Sequence, residues 1–214
     1  MGEGGALVTS DPLLKRVIGS FRDWGRDCWC KTGCDNTCGK RFGWKLGTLP
    51  EGYDHKYVYS HIGYNLKITD LQASIGLEQL RKLPTFIKAR KENWQALFEG
   101  LRRHENYLIL PQVTTNSEPC WFGFPLTVKE GAPFTRDKLV AYLERNKIAT
   151  RSLFAGNIIR HPAFEQAPYR LYGRLEHTDR IMNDTFWIGV YPGITQPMLD
   201  YMLSRIDAFF ESYP

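Results

Sequence analysis

His61-Ile62-Gly63-Tyr64-Asn65-Leu66-Lys67-Ile68-Thr69-Asp70-Leu71-Gln72-Ala73 reads as a loop running into a capped helix. Thr69 at the N-cap and Gln72 at N3 form a capping box, in which each side chain accepts from the other residue's backbone N–H. Leu71, Ile75, Leu80 and Leu83 follow on one helical face. The loop therefore presents Asn65 and Lys67 just ahead of a helix start. Such a start attracts anions through its free N–H groups and its dipole. Read alone, the two side chains fit an anion contact or plain solvated loop residues.

Downstream, Pro84 is expected to interrupt the helix, since proline has no N–H and clashes with the preceding turn. A second helix with Phe86, Ile87, Trp94, Leu97 and Leu101 is expected to run to about Arg103. Residues 105–214 then alternate. Tyr107–Leu110, Trp121–Val128, Ile148–Arg151 and Thr185–Val190 read as strands. Thr135 caps a helix to about Asn146, and Thr195 caps a final helix carrying Met198, Leu199, Met202, Ile206, Phe209 and Phe210. Residues 152–180 read as irregular. This alternation predicts a compact α/β unit. The expected division is 1–104 and 105–214.

Upstream, Asp11-Pro12 offers an N-cap with proline at N1, and residues 12–24 read as an amphipathic helix. Ala6–Thr9 is a short strand candidate. From Gly25 to about Ser60 the chain has no clean period. Loops this long are usually functional or clamped by something. This one holds four of the five cysteines, in the pattern Cys28-x-Cys30-x3-Cys34-x3-Cys38. Cys120 stands apart and reads as a small buried hydrophobe. Thiolates are soft ligands that select zinc, Cu(I) or iron–sulfur clusters. Cys28-x-Cys30 is tight for one knuckle around a tetrahedral ion, whereas a [2Fe-2S] cluster spreads four thiolates over two irons. Spacing alone leaves iron–sulfur, zinc and free thiols open.

The chain has 214 residues, 43% hydrophobic and 24% charged, which excludes disordered and fibrous classes. No apolar run is long enough for a membrane helix. No secretory signal is read at the start, and Ala6 spoils a myristoylation motif, so the expected location is cytoplasmic. Lys plus Arg number 28 against 23 acidic residues, and the resulting +5 is dispersed rather than gathered. That pattern does not favour nucleic acid as a partner. No P-loop, His-Glu-x-x-His, Gly-x-Ser-x-Gly or Gly-x-Gly-x-x-Gly occurs.

Taken together, Met1-Gly2-Glu3-Gly4-Gly5-Ala6, the loop His61–Ala73 and the helix with Arg90 resemble the DegT/DnrJ/EryC1/StrS sugar aminotransferase family. Arg26-Asp27-Cys28-Trp29-Cys30 and Cys34-Asp-Asn-Thr-Cys38-Gly-Lys-Arg-Phe-Gly resemble its branch of CDP-4-keto-6-deoxyhexose 3-dehydrases. The resemblance extends through Thr150–Asn157 and Asp179–Gly189. It implies the C-terminal part of a PLP-dependent type I aminotransferase-like fold: the end of the large cofactor domain with its cysteine loop, then the small α/β domain. It implies a homodimer with the cofactor at the interface.

The resemblance also implies a reaction. Pyridoxamine phosphate condenses with the 4-keto sugar, and the C3 hydroxyl is lost. A [2Fe-2S] cluster relays electrons from a flavin reductase partner. Cys28, Cys30 and Cys38 fall on three cluster ligands, and Cys34 on a further, non-ligating cysteine. The fourth ligand and the catalytic base, a histidine where transaminating members carry the Schiff-base lysine, would lie upstream of Met1. None of His55, His61, His104, His161 and His177 is expected to be that base. The chain alone is expected to be inactive. Asn65 matches the residue reaching across the dimer to the cofactor phosphate. Lys67 stands where many aminotransferases have Arg, which keeps the charge but loses the bidentate contact. Phe122 falls where related aminotransferases often carry His, lining the active site. Two alternatives stand beside this reading: a sugar aminotransferase fragment with a zinc or thiol loop, and a non-catalytic, zinc-clamped binding module.

Overall fold

The computed structural model of the chain describes residues 2–31 and 33–213. Met1, the first residue of the glycine-rich opening, lies outside the described residues. The chain divides into two units, Met1–Arg81 and Lys82–Pro214. This division falls earlier than the expected 104/105. The physical reason is that Trp94, Leu97 and Leu101 belong to the core of the second unit.

In the first unit, helix α1 spans Pro12–Arg22. Asp11 caps it, its carboxylate accepting from the N–H groups of Leu13 (2.7 Å) and Leu14 (3.3 Å). The helix buries none of its residues, and Leu13, Leu14, Val17 and Phe21 remain exposed. Ala6–Thr9 is not a strand, because it has no backbone partner among the described residues. The region 25–60 is irregular as expected, apart from a single 3-10 turn at His55–Tyr57.

Helix α2 runs Asp70–Leu101 without a break. Its capping box forms as read: the Thr69 N–H donates to Gln72 Oε1 (2.9 Å) and the Gln72 N–H to Thr69 Oγ1 (3.3 Å). Pro84 does not end the helix. It removes one N–H, but its turn is exposed on all sides, so water can take the freed carbonyl of Leu80.

The second unit holds a four-stranded antiparallel sheet, β1 (Leu108–Ile109), β2 (Gly123–Val128), β3 (Thr150–Ser152) and β4 (Thr185–Gly189), in the order β1-β2-β4-β3. Alternation along β2 and β4 puts Phe124, Leu126, Phe186 and Ile188 on one face, paired Phe124↔Ile188 and Leu126↔Phe186. Helices α3 (Arg136–Arg145) and α5 (Gln196–Glu211) bury Leu139, Leu143, Leu199, Ile206 and Phe209 in that core. Thr135 caps α3 through its hydroxyl, whereas Thr195 makes no side-chain cap bond to α5. A further helix, α4 (Glu176–Asp184), forms where irregular chain was expected, and it packs beside β2 and β4. Its N-cap is Leu175, which supplies no side-chain bond, so the sequence carries no start signal there. Among the described residues no helix is long and apolar enough to cross a membrane.

Candidate functional site

The first unit is built around one crossing of backbones. At the end of α1, Trp24 (φ 62°) and Gly25 (φ 81°) both take the left-handed conformation. The Gly25 N–H closes the helix on the Ser20 carbonyl (2.8 Å). The loop 61–66 completes the cap: the Tyr64 N–H donates to Phe21 O (2.7 Å), and the Trp24 N–H donates to Tyr64 O (2.8 Å). Asn65 thereby pairs with Asp23, and Arg26 pairs with Tyr59. The segment entering the cysteine loop and the segment carrying Asn65 and Lys67 are thus held by one set of main-chain bonds.

Beyond the crossing the thiols converge. The ligand atoms of Cys28, Cys30 and His55 all lie within 4.8 Å of one another. Cys38 Sγ meets the same imidazole at 3.2 Å from Nε2. The Lys40 N–H also points at Cys38 Sγ (3.4 Å). Burial pushes the Cys28 thiol above its ordinary value. The Thr37 hydroxyl, hydrogen-bonded to Cys30, brings that thiol down to about 6. A thiol so lowered is largely thiolate at neutral pH, the form that binds metals. Cys34 and Cys120 are exposed, so the expectation of a buried Cys120 fails. It follows the exposed stretch 112–118, which gives its side chain no core to enter.

His55 is the residue the sequence reading passed over. It is 1% exposed, with Nδ1 buried and without a partner among the described residues. Its ring stacks on Trp44 (5.7 Å) and meets Trp29 edge-on (5.8 Å). The turn carrying it is pinned twice. Asp54 accepts the Lys56 N–H (3.1 Å), and Arg41 grips Asp54 Oδ2 through Nε (2.9 Å) and Nη2 (2.7 Å). The Arg41 guanidinium holds the Asp54 carboxyl below its usual range. Counting histidine with cysteine as soft donors across the whole irregular region would have flagged it. The other histidines sit elsewhere: His61 against Phe21, His104 on Asp207 and Phe210, His161 on the Ala155 carbonyl, and His177 exposed on α4.

Lys67 lines a cavity of about 260 Å³ together with Asp23, Arg26, Cys28, Cys30 and His55. Asn65 is exposed beside it in sequence. In the second unit, Phe122 is 68% exposed and packs on Trp187 (4.6 Å), which also meets Phe154 (5.2 Å). Arg90 Nη1 steadies this strand by donating to the carbonyls of Trp121 and Phe122, each at 3.2 Å.

The chain is 58% identical over 210 residues to the lipopolysaccharide biosynthesis protein RfbH of Salmonella typhimurium, covering 98% of this chain and 48% of that protein. It is 55% identical over 208 residues to the dTDP-4-dehydro-2,6-dideoxy-D-glucose 3-dehydratase of Saccharopolyspora spinosa, covering 97% and 45%. The chain therefore spans about half the length of the curated relatives it matches. Among solved structures, a GDP-4-keto-6-deoxy-D-mannose-3-dehydratase of E. coli with bound hydrated PLP superposes with a TM-score of 0.74 at 24% identity, covering 92% of this chain and 48% of that one. An aminotransferase from Psychrobacter cryohalolentis gives 0.76 at 19%, covering 96% and 51%. These likenesses establish the PLP-dependent aminotransferase fold. The family model of the DegT/DnrJ/EryC1/StrS aminotransferases matches residues 1–207, and the chain belongs to that family.

Proposed function

We propose that this chain is part of a pyridoxamine-phosphate- and [2Fe-2S]-dependent dehydratase that removes the C3 hydroxyl of a CDP-4-keto-6-deoxyhexose, in the making of 3,6-dideoxysugars for O-antigen. The observation that carries this reading is the convergence of Cys28, Cys30, Cys38 and the buried His55. Replacing C–OH by C–H consumes two electrons, and transamination consumes none from outside. A soft-donor site beside the cofactor segment fits the first reaction and has no task in the second. One relative quoted above is named for lipopolysaccharide biosynthesis and the other as a dTDP-sugar 3-dehydratase, which supports the 3-dehydration and O-antigen parts of the reading.

The donor set fits an iron–sulfur group: three sulfurs, one already thiolate-prone, in a pocket walled by Trp29 and Trp44. Cys28, Cys30 and Cys38 would hold it, with the fourth ligand supplied from upstream sequence. When bound, pyridoxamine phosphate supplies the electron sink for loss of the hydroxyl. Asn65 offers an amide and Lys67 an ammonium to its phosphate, and both are exposed to receive it. Lys67 adds a point charge without the fork of an arginine. Phe122 offers an apolar ring that neither donates nor accepts a proton, in keeping with a lining rather than a proton-transfer role. No residue of the chain is assigned as the base. The uncovered apolar face of α1 supports a homodimer or further protein packed there. A flavin and iron–sulfur reductase is the electron donor of this reading, and the cytoplasm its place.

The test takes the polypeptide that carries this chain, supplies pyridoxamine phosphate, a reductase and a CDP-4-keto-6-deoxyhexose, and measures iron, acid-labile sulfide and product. Iron and sulfide in equal amounts with a 3-deoxy product are expected. A 4-amino sugar as product overturns the reading in favour of transamination. Zinc without sulfide, and no turnover, overturns it in favour of a clamped module.

A further inference from the structure

His55 lies between a redox reading of the cysteines and a purely structural one. Its burial is costly. One ring nitrogen, Nδ1, has no partner among the described residues, and an unpaired buried polar atom is destabilising. Nothing in the packing alone requires an imidazole there, since a phenyl ring would fill the same slot between Trp29 and Trp44. What distinguishes the imidazole is the other nitrogen, Nε2, at 3.2 Å from Cys38 Sγ. A metal-bound thiolate carries no proton, so in that contact the ring must be the donor. The backbone N–H of Lys40 approaches the same sulfur, so Cys38 receives two donors. The pin from Arg41 to Asp54 and the main-chain bond from the His55 N–H to Arg41 O (3.0 Å) hold the ring in place without help from any metal.

We infer that His55 is a positioning residue of the thiol site: its Nε2–H hydrogen-bonds the Cys38 sulfur, fixing that sulfur's direction and easing reduction of the group bound to it. Donors to a ligand sulfur stabilise the electron-richer state and raise the potential. The redox half of this inference and the direction of the hydrogen bond rest on the metal-binding reading of the thiols; the 3.2 Å contact does not.

Two variants separate the roles. His55→Phe keeps a ring of similar size and removes the donor. His55→Gln sets an amide N–H near the position of Nε2. In metal-free chain, alkylation of Cys38 at fixed pH, resolved by peptide mass spectrometry, is expected to slow about tenfold in His55→Phe and to recover in His55→Gln. In the polypeptide that carries this chain together with the fourth ligand, reconstituted with iron and sulfide, His55→Phe is expected to keep its iron. Its one-electron reduction should become about tenfold less favourable, about 59 mV lower, with His55→Gln returning toward the parent. Alkylation rate and potential both unmoved in His55→Phe would overturn the inference. Loss of iron from both variants would also overturn it, because His55 would then be a ligand. If the parent takes up no iron and sulfide while the alkylation pattern holds, the contact stands and the iron–sulfur reading falls. Tryptophan fluorescence confirms that each variant keeps its fold.

Discussion

Gly25→Ala attacks the backbone crossing on which the site hangs. Gly25 sits at φ 81°, where an L-residue is strained by roughly 1–2 kcal/mol. An added Cβ would stand 1.8 Å from the His61 carbonyl oxygen, 2.7 Å from its carbon and 3.2 Å from the Gly63 nitrogen. All three are main-chain atoms, so no flexible side chain can swing aside. Overpacking of this kind costs about 1–3 kcal/mol. Alanine returns about 0.4–1 kcal/mol by restricting the unfolded chain. The net expectation is a loss of about 1–5 kcal/mol. Gly47→Ala is the control: φ is 55°, and a Cβ there meets nothing within 4 Å, so only the conformational strain remains, about 1 kcal/mol. Urea titration followed by tryptophan fluorescence measures both. If the two variants unfold within about 0.5 kcal/mol of each other, the crossing is not the rigid junction described. Gly63→Ala approaches the same contact from the other strand, at 2.2 Å from the Gly25 nitrogen. Its loss and that of Gly25→Ala should therefore not add in the double variant.

Three further outcomes follow from the same geometry. Leu97→Ala empties a fully buried position of the second unit and should lower its stability by about 2–5 kcal/mol, read by thermal denaturation. The Asp179 carboxyl is held below its ordinary 3.8 by Arg160 and then Asn157. Its folded value lies under its unfolded one, so its contribution is full above 3.8 and fades as pH falls through the folded value. Acid titration of Asp179→Asn should therefore show a flatter decline below 3.8 than the parent. In metal-free chain, Cys30 should alkylate with a midpoint of about 6, and Thr37→Val should move that midpoint up toward 9.0; a midpoint unchanged by the substitution would refute the assigned cause.

Where the sequence was legible, a local rule sufficed. Thr69 and Gln72 announce their helix because the capping box needs only residues three apart. Phe124, Leu126, Phe186 and Ile188 announce buried strand faces by alternation. Four features escaped because their causes are not local. Helix α2 passes Pro84 because solvent can take the stranded carbonyl, which depends on exposure and not on spacing. Helix α4 begins at Leu175 without a cap, and its polar run Glu176-His177-Thr178-Asp179 resembles loop. His55 joins the cysteines only because Arg41 and Asp54 set its turn, and because Trp29 and Trp44 receive its ring. Asn65 and Lys67 were placed beside the cysteine segment only by the bonds that close α1, a juxtaposition no periodicity carries.

The Arg41–Asp54 fork has a consequence for how the thiol centre comes into being. It fastens the imidazole's turn from outside the donor set, so the place of that turn does not depend on a metal–ligand bond. Ordering entropy is then spent in folding and not in capture. In this one turn the chain differs from small domains that collapse only around their ion.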